Sequence, residues 1–120
     1  MHEIVQPMME FKEQIKLYHW KTHSYARHKT TDKYLSIFAE QIDKFVEVLL
    51  GSRNDKNIPT FSLKFKNIND KNAKEYVESF RDWVRDSLPT MLYEHETDLL
   101  NIKDEILADL NRLLYLFNLN

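Results

Sequence analysis

The sequence predicts an all-α protein, a four-helix bundle, from three observations: one glycine and three prolines in 120 residues, no cysteine, and four stretches in which apolar residues recur at steps of three and four. So few glycines and prolines do not supply the turns of a β-sandwich, and they exclude a glycine-rich phosphate loop. The lack of cysteine removes disulfides, Cys-ligated zinc, iron–sulfur clusters and thiol catalysis together. With 42% hydrophobic and 30% charged residues the chain has the balance of one globular domain, and a net charge of −2 gives no global pull toward nucleic acid or membranes. No apolar run approaches the ~20 residues of a membrane span, and the Met-His-Glu start lacks the basic-then-apolar order of a signal peptide. The expectation is a cytoplasmic protein without a membrane partner, in the host cytoplasm or the virion if the gene is viral.

The first helix is expected over residues 4–22, on the stripe Ile4, Met8, Phe11, Ile15, Tyr18, Thr22, with Pro7 tolerable in a first turn. The second, over 31–50, carries Leu35, Phe38, Ile42, Phe45, Leu49, opened by Thr30 or Thr31 as N-cap and closed by Gly51. The third, over 72–92, carries Ala73, Val77, Phe80, Val84, Ser87, Met91, with Asn72 and Glu75 spaced as a capping box and Pro89 kinking or ending it. Trp83, Phe80 and Tyr76 fall at helical spacing and read as core. The fourth, over 97–118, has Leu99, Ile102, Ile106, Leu110, Leu113, Phe117 on one seam and Leu100, Leu107, Leu114 beside it, behind Thr97 as a cap. So broad an apolar face suits the most buried helix.

Residues 51–71 form the connection between the second and third helices. An eighteen-residue helix is ~27 Å long, and a linker of this length can return along the whole bundle, whereas the two short connections force antiparallel neighbours. That predicts two hairpins joined by one long crossover, the connectivity of the ferritin-like class, although a floppy loop between antiparallel helices could have the same length.

Three of the five histidines, His19, His23 and His28, fall within ten residues at the end of the first helix and after it. His19 and His23 have the i, i+4 spacing that lets two imidazoles share a metal if the helix continues, although hydrogen-bonded or solvated helix-end histidines have the same pattern. Asp43 and Glu47 are also four apart, on a face of the second helix away from its core seam. A solvated acidic face explains them equally well. Ala39, Val46 and Leu50 make a second, weaker apolar stripe on that side, which looks like a subunit contact. Carboxylates there would complete a site with a partner's histidines, and imidazole with carboxylate suits iron, manganese or zinc.

The order Leu17-Tyr18-His19-Trp20, then His28-x-x-x-Asp32, then Asp43-x-x-x-Glu47 resembles the ferroxidase motif of the Dps mini-ferritins. The resemblance covers about residues 17–50; Thr97-Asp98-Leu99-Leu100 and Leu113-Leu114-Tyr115-Leu116 are similar to that family's last helix. It implies that His19 and His28 ligate iron with Asp32 beside them. It also implies that Asp43 and Glu47 ligate iron from the neighbouring subunit across a two-fold interface, with Trp20 near the metal. No Glu-x-x-His occurs, which excludes the intramolecular di-iron site of larger ferritin-like enzymes.

The function expected is a mini-ferritin that binds, and as a ferroxidase oxidises, iron at a subunit-bridging site in a homodimer formed through the second helix. The alternative is a metal-free bundle acting as a dimeric interaction or virion-associated protein, with Asp43 and Glu47 as interface partners for Lys21, Arg27 or Lys29. Residues 12–33 hold six Lys/Arg against two acids, and 94–112 hold six acids against two bases. The basic stretch reads as solvation, or as a match for the acidic helix, rather than as a nucleic-acid surface.

Overall fold

The computed structural model describes residues 1–119. Four helices, α1 (His2–Lys21), α2 (Tyr25–Arg53), α3 (Ala73–Asp82) and α4 (Thr97–Phe117), pack around one core, and the described residues include no strand. α3 runs on into a π-helical turn (Trp83–Ser87) and a 3₁₀ turn (Leu88–Met91). The stripes are where periodicity puts them: Met8, Phe11, Ile15 and Tyr18 of α1, Phe38, Phe45 and Leu49 of α2, and Leu99, Ile106, Leu110 and Leu113 of α4 are all buried.

Several boundaries differ from the sequence reading, each for a local reason. α2 begins at Tyr25, six residues before the expected start, because Ser24 caps it: its Oγ accepts the Arg27 N–H at 3.2 Å. Thr31 is instead a buried residue inside the helix, its hydroxyl donating to the Arg27 carbonyl at 2.7 Å. Gly51 does not stop α2. The helix continues to Arg53, and Asn54, at φ 49 and ψ 45, takes the left-handed cap. Its N–H reaches Gly51 O at 3.2 Å and that of Asp55 reaches Leu50 O at 3.2 Å, the paired bonds of a Schellman ending.

At the start of α3 the expected capping box does not form. Asn72 turns its Oδ1 to the Asn69 N–H at 2.8 Å, and Glu75 is exposed without a partner among the described residues. α4 is preceded not by Thr97, which is its first residue, but by Glu96. The π turn also moves the stripe of α3: Leu88 and Leu92 are buried where Ser87 and Met91 were expected, because the wider turn adds a residue to the repeat. Pro89, which has no N–H to donate, follows at once and the helix ends in 3₁₀ geometry.

The crossover climbs the outside of α1. Gln6 Nε2 donates to Ser62 O at 2.8 Å, the Lys64 N–H donates to Glu10 Oε1 at 2.9 Å, and Gln14 binds both the N–H and the carbonyl of Lys66. Side chains four apart on a helix are ~6 Å apart along its axis, and so are residues two apart in an extended chain, so the two ladders stay in register. Higher up, Tyr18 OH donates to Asp70 Oδ1 at 2.7 Å. The chain therefore enters α3 at the end where α2 began, and α2 and α3 run parallel. Stacking of Phe11 on Phe80 (4.0 Å between centroids) makes α3 antiparallel to α1, and Gln41–Asp109 (2.7 Å) with Arg53–Glu96 (2.8 Å) makes α4 antiparallel to α2.

Candidate metal centre at the first hairpin

α1 ends at Lys21 and α2 opens at Tyr25, so the last turn of one faces the first turn of the other. His19 and His28 meet across this tip with their rings stacked at 4.0 Å and 13°. His28 Nδ1 is 2.9 Å from the His19 carbonyl, an acceptor only, so this nitrogen carries the proton. His19 Nδ1 is 2.9 Å from Thr31 Oγ1, whose own hydrogen goes to the Arg27 carbonyl, so it donates as well. In its neutral form each imidazole is then the Nδ1–H tautomer, which leaves the Nε2 lone pair for a metal, as metal-ligating histidines commonly do. Asp32 Oδ1 lies 3.9 Å from His19 Nε2; the His19 side chain is 11% exposed and that of Asp32 74%.

The other two candidates are elsewhere. Asp43 and Glu47 are exposed on α2 and have no hydrogen-bond or ion-pair partner among the described residues. Eleven residues of helix separate Asp32 from Asp43, ~16 Å along the axis. The chain therefore brings His19 against His28 and, at 3.9 Å, against Asp32, and leaves Asp43 and Glu47 apart; among the described residues no group of three or more His, Asp or Glu is placed to hold a metal ion. His23 is exposed, and its backbone N–H binds Asp70 Oδ2 at 3.0 Å. At 100° per residue, however, His28, Asp32, Leu35, Ala39, Asp43, Val46 and Leu50 share one side of α2, about a third of a turn from the buried seam. Ala39 is exposed on it, while Val46 and Leu50 are half-buried, with Val46 packed against the core. Trp20 is 64% exposed beside Lys16, and Tyr25 75% exposed beside Lys29.

Beneath the histidines lies a polar knot that sequence reasoning missed. Arg27 is buried, its guanidinium 4.5 Å from the Phe117 ring, donating to Tyr18 OH (3.0 Å), Asp70 O (3.3 Å) and Phe117 O (3.2 Å). Asp70 accepts from Tyr18, from Thr22 Oγ1 at 2.5 Å and from the His23 N–H. Burial pushes its carboxyl up, but these donors and the Arg27 charge outweigh that and hold it at about 2. Burial raises Tyr18 in turn. The knot ties α1, α2, the crossover and α4 together under the tip. One signal of it was available: the buried rhythm of α2, extended backward through Tyr34 and Thr31, falls on Arg27. Because Arg27 is engaged here, it is not free to pair with Asp43 or Glu47, and Lys21 is turned to Asn67 at 2.5 Å.

The opposite end carries a polar cleft of about 870 Å³ with Arg53, Tyr93, His95 and Glu96 in its wall. There the Arg53 guanidinium grips the buried Glu96 carboxylate at 3.0 and 2.8 Å, and holds it below the usual carboxylate range. This pair closes α2 onto α4.

No helix among the described residues is long and apolar enough to cross a membrane. No curated protein and no solved structure matches the chain. A family profile does match, over residues 19–117, from the candidate ligand His19 to the end of α4, so the chain belongs to a family of unknown function, DUF5856.

Proposed function

We propose that the chain is a Dps-like mini-ferritin that binds iron at a site shared between two subunits. The observation that carries this reading is the pair of stacked imidazoles at the hairpin tip, each with its Nδ1 engaged in a hydrogen bond, with the Asp32 carboxylate 3.9 Å from His19 Nε2. The parallel α2 and α3 with a long crossover between them suit a ferritin-like bundle. Register on α2 supports the shared site. The midpoint of residues 28 and 47 is also the midpoint of 32 and 43, between Ile37 and Phe38. A two-fold axis there, with α2 antiparallel to its copy, sets the partner's Glu47 at the height of His28 and the partner's Asp43 at the height of Asp32. His19, His28 and Asp32 of one subunit with Asp43 and Glu47 of the other would then hold the metal, a mixed ligand set suited to Fe(II), with Mn(II) and Zn(II) as competitors.

Iron bound there would supply electrons to dioxygen or peroxide, passing from Fe(II) to Fe(III). The chain's own part is to orient the rings through the His19 carbonyl and Thr31, and to present carboxylates that have no competing partner. The second reading, a metal-free dimeric interaction protein, is favoured by one fact: the His28 Nδ1–H bond caps a carbonyl in the last turn of α1, which is a structural task in itself. Of the basic partners expected for Asp43 and Glu47 in that case, Lys29 remains.

Anaerobic titration calorimetry with Fe(II) at neutral pH separates the two. The mini-ferritin reading expects saturable binding by the dimer, lost in the double variant His19→Ala with Glu47→Ala and kept in His2→Ala and His95→Ala. A folded, dimeric protein that takes up no Fe(II), Mn(II) or Zn(II) leaves the interaction reading in possession.

A further inference from the structure

About 13 Å along α1 from the histidines, a groove of about 340 Å³ runs between α1, the crossover and α3. Its size is that of a small-molecule site. One wall is aromatic: Tyr76 and Phe80 lie parallel to Phe11 at 9° and 6°, and Trp83, where the π turn opens, stacks on Phe80 at 5.6 Å and 19°. The rim is acidic, with Glu10 and Glu75 against Lys66. Glu75 has no hydrogen-bond or ion-pair partner among the described residues, and Glu10 uses one oxygen only, for the Lys64 N–H. The Tyr76 hydroxyl likewise has no hydrogen-bond partner among them. Burial, and then the Glu10 charge, raises the Tyr76 pKa, so the hydroxyl stays neutral beside the carboxylate.

We propose that this groove binds a small molecule bearing a flat cationic group, an amidinium, guanidinium or aromatic ammonium, seated on the Tyr76–Phe80–Trp83 wall with its N–H groups toward Glu10 and Glu75. Aromatic faces attract cations, and a planar cation lies flat on them while its edge meets a carboxylate in two parallel hydrogen bonds. An anion finds one lysine and two repelling carboxylates. The site is independent of the hairpin tip and requires neither metal nor dimer.

Benzamidine is a suitable probe, with benzoate as the isosteric anion. In a Trp20→Phe background Trp83 is the sole tryptophan, and its fluorescence reports the groove directly. Benzamidine is expected to shift that fluorescence saturably, with a dissociation constant on the order of 1 mM, and benzoate to have no effect at the same concentrations. Glu10→Gln with Glu75→Gln keeps the acceptor for Lys64 and should weaken benzamidine about tenfold or more, the worth of a charge-assisted hydrogen bond. Circular dichroism checks the fold of the variant. The proposal is overturned if benzamidine leaves Trp83 unperturbed, if benzoate binds as well, or if the folded double variant keeps full affinity.

Discussion

Arg27 occupies a place that the α2 core rhythm reserves for an apolar side chain, and it is tolerated because three oxygens and the Phe117 face receive its guanidinium. Its partners lie 9, 43 and 90 residues away, and two of the three are backbone carbonyls, so no pattern of side chains in the sequence announces them. His19 and His28 stood out for the opposite reason, because they lie nine residues apart in the sequence, while Asp32 entered only through the resemblance to the mini-ferritins. Asp70 shows what the knot contributes. Its folded pKa of about 2 lies below the ordinary 3.8, so the stabilisation is present above the unfolded value and is lost as pH falls from 3.8 toward 2. Thermal melts of wild type and Asp70→Asn should therefore differ at neutral pH and converge through that window. A constant difference down to pH 2 would mean that the Asp70 charge does no such work.

At the scale of elements, the apolar stripes were readable and the ends were not, because a stripe is set by many residues and an end by one hydrogen bond. Ser24 lies eleven residues before Leu35, the first residue of the expected stripe, so Thr30 and Thr31 looked the better caps. Gly51 adopts no positive φ, and Asn54, which can visit the left-handed region by binding locally, makes the turn. The π turn is invisible to a 3.6-residue count, which is why Ser87 and Met91 stood in for Leu88 and Leu92. The crossover was predicted as a tether without its means of attachment, the Gln6, Glu10 and Gln14 ladder on α1. Gln14 is the buried rung, 1% exposed, and it satisfies both polar groups of the Lys66 backbone. Gln14→Met should leave them without partners and destabilise the fold by about 1–3 kcal/mol. Hydrogen exchange should also show the Lys66 amide losing protection, whereas unchanged melting and exchange would remove the ladder from the account.

For the whole molecule, connection lengths suggested two hairpins joined by a crossover without excluding a loose loop between antiparallel helices, and in a molecule 44 Å long it is the ladder on α1 that makes α2 and α3 parallel. The proposed association uses the face left over. On the side of α2 that carries Asp32 and Asp43, Ala39 is exposed and Leu35, Val46 and Leu50 are half-buried, and pairing this face with its copy would cover the strip and bring each acidic end against a histidine end. Val46 touches the core, so Val46→Glu would confound dissociation with unfolding. Ala39 is exposed and lies within a turn of the proposed axis, so Ala39→Arg places two like charges near one another only in the dimer, at a cost of several kcal/mol. Light scattering should give twice the chain mass for the wild type and the chain mass for Ala39→Arg, with identical circular dichroism. A wild type that is monomeric at high micromolar concentration removes the axis, and with it the geometry that joins the two histidines to Asp43 and Glu47.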